Sequence, residues 1–169
     1  QNINNSNILT QNYYFKLLNN LNTSTSDYTN LASSIANGGK GWNSIGNSSS
    51  NFTGTFDGNN YTINSLVINN NIDSAYLGLF GYINNATIQN IGITNTDIIG
   101  GNNSYIGGLV GYNYNGTIKN SYSNGNIEAD DSTNIGGLVG YNYNGIISNT
   151  YSKGSITTGN NAYAGGLVG

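Results

Sequence analysis

The amino-acid sequence contains no cysteine, proline, methionine, histidine or arginine. Without cysteine the chain can form no disulfide, and without cysteine and histidine it lacks the usual nucleophile–base pairs and zinc ligands of enzymes. Its basic residues are four lysines, so it has no basic surface of the kind that binds nucleic acids. These absences exclude thiol chemistry and histidine-dependent catalysis, and they predict no nucleic-acid partner.

Charged residues and long apolar runs are also scarce. Charged residues make up 7% of the 169 residues, against about 25% in an average soluble domain. No run of about 18 apolar residues occurs, so the sequence predicts no membrane span in this segment. Disordered chains usually combine low hydrophobicity with high net charge, whereas here the net charge is -3 and Ile, Leu, Val and Tyr recur regularly. We therefore expect one ordered, glycine-rich β domain.

The most informative feature that is present is an internal repeat. The segment IGGLVGYNYNG occurs twice, at residues 106–116 and 135–145. Its glycine-leucine core occurs four times, as LGLFG and then three times as GGLVG, with central leucines spaced by 30, 29 and 29 residues. These leucines are Leu79, Leu109, Leu138 and Leu167, and the segments after them align Ile88, Ile118 and Ile147 and then Asn90, Asn120 and Asn149. A fixed period near 29 residues is typical of a repeat architecture.

The composition of each repeat favours a β-solenoid. Glycine and asparagine every few residues disfavour helical repeats, and propeller blades need about 40 residues or more. Within one repeat there are three short β-like runs, about IGGLVGY, GTIKNSY and NIEA, separated by Asn/Gly turn signals. Three runs and three corners predict one triangular coil. Coils stacked about 4.8 Å apart predict an all-β parallel β-helix, in which each coil bonds only to its neighbours.

Stacked coils place equivalent residues above one another, so the repeated side chains should form ladders. We predict that the four leucines stack inside the solenoid and that Asn90, Asn120 and Asn149 form an amide ladder at a corner. Tyr82 should form an aromatic ladder with the equivalent tyrosines of the next two coils. Each such cross-strand pair contributes roughly 0.2–1 kcal/mol.

The first part of the chain does not show the repeat. Residues 13–21, YYFKLLNNL, predict a short helix or an irregular cap that covers the edge of the first coil. Residues 41–68 contain alternating FTGTF and YTINSLVI runs, which predict an opening coil. We therefore divide the chain into an N-terminal cap or irregular opening segment over residues 1–40 and a solenoid of about five coils over residues 41–169. The solenoid is expected to continue beyond the last residue.

The pattern GGLVG followed by N-x-G-x-I-x-N-S-Y-x-x-G resembles the GLUG repeat. That repeat occurs in large bacterial surface and secreted proteins, including filamentous-haemagglutinin-like adhesins and some IgA-cleaving peptidases. The preceding W-x-x-IG and F-x-G-x-FDG-x-x-x-x-I-x-x-L resemble the segment that leads into such repeats. Its residues here are Trp42, Ile45, Gly46, Phe52, Gly54, Phe56, Asp57, Gly58, Ile63 and Leu66.

This resemblance covers residues 31–169. It implies a parallel β-helix, right-handed like most strand crossovers. It also implies an extracellular or cell-surface location. It implies no catalytic residue, because the repeat is itself a structural unit.

The few acidic residues are the remaining candidates for catalysis or metal binding. Asp97 and Glu128 lie at nearly equivalent positions in adjacent repeats, and a glycosidase needs two carboxylates about 5–10 Å apart. We interpret both as solvated corner residues and expect no enzyme. Glu128, Asp130 and Asp131 are a weak candidate for a calcium site. The G-G-x-G-x-D repeats of calcium-loaded β-rolls do not occur, so a solvated loop is favoured and no metal or other cofactor is expected.

The tyrosines are the best candidates for a ligand surface. Tyr112 and Tyr114 recur as Tyr141 and Tyr143, and alternation in Y-N-Y places both tyrosines of a pair on one side of a strand. Aromatic rows with asparagine neighbours suit sugar rings, because a flat apolar face is then flanked by amide groups. Stacking of the tyrosines on one another explains the repetition without a ligand, and we favour that interpretation.

Together these features predict a segment of an extracellular bacterial surface protein. We expect an adhesin or adhesive stalk whose rod makes many weak contacts with host or surface glycans or matrix proteins. A purely structural spacer or an extracellular filament subunit is the alternative, with self-association through the solenoid ends. A carbohydrate-active β-helix enzyme is a third and less favoured hypothesis.

Overall fold

The computed structural model describes residue 4 and residues 6–169. The three helices in these residues are short: α1 (Ser6–Leu9), α2 (Tyr28–Leu31) and α3 (Ala36–Gly39). The strands, in chain order, are β1 (Tyr14–Lys16), β2 (Thr55–Asp57), β3 (Thr62–Asn64), β4 (Val67–Asn70), β5 (Tyr76–Leu77), β6 (Phe80–Asn84), β7 (Thr87–Gln89), β8 (Gly92–Gly100), β9 (Tyr105–Gly107), β10 (Val110–Tyr114), β11 (Thr117–Lys119), β12 (Tyr122–Ala129), β13 (Asn134–Gly136), β14 (Val139–Tyr143), β15 (Ile146–Ser148), β16 (Tyr151–Thr158) and β17 (Tyr163–Gly165).

The strands form four parallel sheets that run along a solenoid. Sheet A has the order β1-β2-β7-β11-β15, sheet C the order β6-β10-β14 and sheet D the order β5-β9-β13-β17. Sheet B has the order β3-β8-β12-β16, and β4 also pairs with β8. The chain passes through sheets D, C, A and B in turn and then begins the next coil. The predicted all-β parallel solenoid is therefore confirmed, with about four turns of about 29 residues each.

Each complete coil contains four strands, so the predicted division into three runs is wrong. The run IGGLVGY is split into β9 and β10 by a bend at Gly108 and Leu109. A Cβ atom on Gly108 would collide with the side chain of Ser123 and with the carbonyl of Gly137, so the bend requires glycine there. Left-handed residues form the other corners of this coil, with φ near 55° at Asn115 and near 50° at Asn120.

A β-bulge explains why the first leucine spacing is one residue longer than the others. In sheet B, Asn124 pairs with Thr94, but the next residue, Gly125, pairs with Thr96. The extra residue is Asn95, which is exposed and has a φ of 52°. Asparagine tolerates this left-handed conformation better than most residues. The additional residue is therefore accommodated locally, and the coils on both sides stay in register.

The repeated aliphatic residues fill the interior of the solenoid. Leu79, Leu109 and Leu138 are at most 1% exposed, and Leu167 in the last coil is partly buried. Complete burial of such a side chain stabilises the fold by about 1.5–3 kcal/mol. Four phenylalanines extend this core toward the N-terminal end of the solenoid: Phe15, Phe52, Phe56 and Phe80.

Residues 6–40 contribute one strand of sheet A and three short helices. Strand β1 pairs in parallel with β2, so the helical alternative for residues 13–21 is wrong. Leu9 is 2% exposed, and the hydroxyl of Tyr28 donates a hydrogen bond of 2.7 Å to the carbonyl of Ser65. This segment does not complete a coil, which is why the solenoid has about four turns and not five. Its assignment as a separate cap stays a prediction.

Candidate functional site

The two Y-N-Y segments place their tyrosines on the outside of sheet C. In β10, Tyr112 and Tyr114 are partly exposed, whereas Asn113 between them is completely buried. The Asn113 side chain accepts a hydrogen bond from the Gly116 N–H and donates one of 2.7 Å to Asn142 Oδ1. Asn113 therefore holds the corner of the coil together. Its amide is not available beside the tyrosines to bind a sugar.

Tyrosines of sheets C and D pack into one group, which we call the tyrosine cluster: Tyr76, Tyr82, Tyr105, Tyr112 and Tyr141. Within sheet C the rings of Tyr82 and Tyr112 stack with centroids 4.7 Å apart and an interplanar angle of 9°. Within sheet D, Tyr76 and Tyr105 stack at 5.3 Å and 8°. The two rows meet edge to face, as between Tyr105 and Tyr112 at 5.1 Å and 79°. Such offset and T-shaped pairs are the preferred geometries of aromatic rings.

The sequence prediction missed the sheet D half of this cluster. Tyr76 and Tyr105 each stand two residues before a repeated glycine of the motif, and Tyr163 recurs at the same position in the last coil. Asn134 interrupts the row in the third coil and pairs with Tyr105 on one side and Tyr163 on the other. The signal was the 29-residue spacing on both sides of this gap, which a search for adjacent tyrosines does not detect.

Packing within the cluster changes the acid–base properties of its phenols. Burial raises the pKa of Tyr112 to about 12, and the neighbouring hydroxyls of Tyr82, Tyr141, Tyr105 and Tyr76 add to the effect. Burial also raises the pKa of Tyr76 and of Tyr82. The cluster is therefore neutral at physiological pH, and its hydroxyls act as both donors and acceptors.

Two further ladders consist of tyrosine pairs outside the cluster. Tyr114 and Tyr143 stack at 5.1 Å and 4°, and Tyr122 and Tyr151 of sheet B stack at 4.8 Å and 2°. Lys153 Nζ lies 5.6 Å from the centroid of the Tyr151 ring. Because the rings stack along the solenoid axis, neighbouring faces cover one another. The ladders therefore present mainly ring edges and hydroxyls to solvent, and a sugar cannot insert between the rings.

The three predicted corner asparagines are joined by side-chain hydrogen bonds. Asn120 Nδ2 donates to Asn90 Oδ1 at 3.1 Å, and Asn149 Nδ2 donates to Asn120 Oδ1 at 3.3 Å. All three have φ between 50° and 55°. Asn90 in turn donates to a carboxylate oxygen of Asp57 at 3.0 Å, so the ladder starts at the opening coil.

Asp57 is an anchor of this ladder and not a free carboxylate. It is 9% exposed and accepts hydrogen bonds from the Tyr14 hydroxyl at 2.6 Å, Gln89 Nε2 at 3.1 Å and the Asn59 N–H at 2.8 Å, besides that from Asn90. Burial opposes its ionisation, but these four hydrogen bonds outweigh burial and hold its pKa well below the usual range. The carboxylate therefore joins β1 to the first two coils of the solenoid.

A second corner ladder was missed at the sequence level. Asp73 Oδ1 accepts the backbone N–H of Asn102 at 3.0 Å, Asn102 Oδ1 accepts that of Asp131 at 3.1 Å, and Asp131 Oδ1 accepts that of Asn160. The four residues are spaced by 29 each time. The alternation of Asp and Asn hid this equivalence, although both side chains offer the same acceptor oxygen.

The acidic candidates are distributed over separate roles. Asp131 belongs to the second corner ladder, and Glu128 and Asp130 are exposed. Among the residues that the structure describes, no group of three or more potential metal ligands could hold an ion. Asp97 pairs with Asn126, and Glu128 pairs with Ile99, so the predicted near-equivalence of Asp97 and Glu128 is wrong. The bulge at Asn95 shifts the alignment by one residue and separates the two carboxylates.

Parallel sheets, stacked coils and side-chain ladders define a repeat protein of the parallel β-solenoid class. The GLUG motif matches residues 102–128 and 131–157, which form two successive coils of the solenoid. The chain therefore carries two GLUG repeats. In the described part of the chain, no helix has the length and apolar character needed to cross a membrane.

Two known proteins are similar to this chain. A protein of Evansella cellulosilytica described as a Gly-rich membrane protein is 34% identical over 116 residues, which are 68% of this chain and 12% of the relative. Halomucin of Haloquadratum walsbyi is 38% identical over 97 residues, which are 56% of this chain and 1% of the relative. The chain thus spans a small part of each relative's length. No solved structure matches it significantly.

Proposed function

We propose that this chain is a segment of an extracellular surface protein and serves there as a stiff, non-catalytic stalk. Support comes from the GLUG repeats and from two relatives whose names refer to a membrane and to a mucin. The observation that carries the proposal is that the repeated polar and aromatic side chains bond mainly to their own counterparts in the next coil. Residues selected for such contacts build a rod rather than a pocket.

Continuous contacts along the axis make the rod stiff. Sheets A, B, C and D link each coil to the next, and the two corner ladders add side-chain hydrogen bonds between coils. Among the described residues, every buried side-chain nitrogen or oxygen has a hydrogen-bond partner. A satisfied interior of this kind leaves no polar group waiting for a ligand.

An adhesive surface is the second candidate function. The observation that favours it is the row of phenol edges along sheet C, formed by Tyr112, Tyr114, Tyr141 and Tyr143, of which Tyr143 is 43% exposed. Repeated hydroxyls can contact glycans or matrix proteins weakly at many points, and such contacts add along a rod. Ring stacking on sugars would be limited to the outer face of the last ring in each ladder.

A binding screen separates the two functions. The purified chain is applied to immobilised glycans and matrix proteins beside two variants in which these four tyrosines are replaced by Phe or by Ala. Phe keeps the stacked rings and removes the hydroxyls, so it is the matched control for folding. Absence of saturable binding by the folded chain supports the stalk and overturns the adhesive surface. Saturable binding that the Phe variant loses supports adhesion through the hydroxyl rows and overturns a purely structural role.

A further inference from the structure

Tyrosine is the principal oxidisable side chain of this protein. The chain has 14 tyrosines and one tryptophan, and it has no cysteine, methionine or histidine to consume an oxidant first. Several of these tyrosines lie in ladders whose rings are nearly parallel and in contact. The composition and the stacking together make ring-to-ring chemistry between coils favourable.

The pair Tyr122 and Tyr151 has the most suitable geometry. The two residues are in register in the parallel pair β12–β16, and their ring centroids are 4.8 Å apart with an interplanar angle of 2°. Tyr151 is 49% exposed, so an oxidant in solution reaches its phenol directly. Both side chains lie on the outside of sheet B, where they can rotate without disturbing the buried core.

We propose that Tyr122 and Tyr151 form an oxidative cross-linking site, at which a peroxidase with hydrogen peroxide joins the two rings as dityrosine. Each phenol gives one electron and one proton to the oxidant, and the two phenoxyl radicals couple through ring carbons adjacent to the hydroxyl-bearing carbon. Each of these carbons then loses its proton, and the phenol hydroxyls are restored. The two hydrogen atoms removed in total reduce one peroxide to two waters.

Register directs this coupling to neighbouring coils of the same molecule. Strands that pair in parallel lie about 4.8 Å apart, so the partner ring is always present when the radical forms. Tyr163 provides the contrast: it is 70% exposed, but its in-register neighbour is Asn134 and not a tyrosine. The product would be a covalent bond between β12 and β16 in a chain that cannot form disulfides. The inference concerns this pair of rings and holds for a stalk and for an adhesive module alike.

Proteolysis can locate the cross-link because the cleavage sites are few. Cleavage after Lys119 and Lys153 releases residues 120–153, and further cleavage before Asp130 and Asp131 separates Tyr122 from Tyr151. After treatment of dilute protein with peroxidase and hydrogen peroxide, we expect dityrosine fluorescence. Peptide 120–129 should remain joined to peptide 131–153, with the loss of two hydrogens. A mixture of nitrogen-isotope-labelled and unlabelled chains should give joined peptides of unmixed label.

Two conservative variants make the test specific. In Tyr151→Phe the stacked ring remains but the phenol is lost, so the joined peptide should disappear while the circular dichroism is unchanged. In Tyr163→Phe an equally exposed phenol is removed from a position without a tyrosine neighbour, so the joined peptide should persist. Absence of the joined peptide from the oxidised natural chain, its persistence in Tyr151→Phe, or joined peptides of mixed label only would each overturn the proposal.

Discussion

Single residues hold this fold together through contacts that few other side chains could make. Asp57 is the one charged side chain that is buried in the described part of the chain, and four donors surround it. Gly108 occupies a bend where any Cβ would meet the next strand and the next coil. At this scale the structure depends on individual atoms, and point substitutions test it directly.

Substitution of Asp57 by Asn should destabilise the protein by about 1–3 kcal/mol at neutral pH, because charge-assisted hydrogen bonds are lost and amide donors then face one another. The folded-state pKa is lowered, so this carboxylate's stabilisation is present above the ordinary pKa of 3.8 and is lost as the pH falls further. Urea unfolding at several pH values measures both effects. An acid dependence that is identical in the two proteins would contradict the assignment.

Substitution of Gly108 by Ala should cost about 1–3 kcal/mol, because the added methyl group overpacks the bend against Ser123 and Gly137. Gly166 is the matched control, since it occupies the same place in the last coil and a Cβ there would meet nothing within 4 Å. Its replacement by Ala should leave the urea midpoint almost unchanged. Equal losses at the two positions would show that the crowding does not cause the effect.

Tyr112 should titrate apart from the other tyrosines. Its pKa is raised to about 12, so the tyrosinate absorbance that is lost in Tyr112→Phe should develop near that pH. A raised folded-state pKa stabilises the fold below the ordinary value of 10.0, and this stabilisation is lost as the pH rises from there toward 12. The difference between the two proteins in an alkaline absorbance titration measures the shift. A difference spectrum centred at 10.0 would show that the phenol is not buried in the cluster.

At the scale of strands and corners, the ladders are the stabilising units. Asn120 combines two functions, because its left-handed backbone turns the corner and its amide bonds to both neighbouring coils. Asn120→Gly preserves the backbone conformation and removes the amide. We expect a loss of about 1–2 kcal/mol in urea unfolding. Asn149→Gly removes a bond to one neighbour only and should cost less; the reverse order would contradict an amide ladder.

The sequence predicted those elements whose spacing is regular and whose residue type does not change. The leucine spacing predicted the stacked coils, and the equal spacing of Asn90, Asn120 and Asn149 predicted a corner. The division into three runs failed because glycine is common both inside these strands and at the bend after Gly107. The bulge was not predicted because one additional residue, Asn95, can lie in any of four strands or in the corners between them. Only backbone geometry distinguishes these cases.

At the scale of the molecule, contacts between neighbouring coils replace a single compact core. Residues 6–40 supply β1, which covers one edge of β2, and Phe15, whose ring lies 5.6 Å from that of Phe52. Deletion of residues 1–40 should therefore expose the strand edge and aromatic core of the first coil. We expect lower resistance to urea and more light scattering. Tyr14→Phe, which removes only the hydroxyl on Asp57, is the control that should remain free of aggregation.

The two identical segments at residues 106–116 and 135–145 lie at the same place in successive coils. A coding sequence with such identical stretches recombines readily out of phase, and each misaligned exchange inserts or removes 29 residues. The folded consequence is one whole coil, because the new strands meet the same ladders on both sides. Each event changes the length of the rod by about 4.8 Å. Reach from the cell can therefore evolve by recombination in uniform steps, without any new contact having to arise.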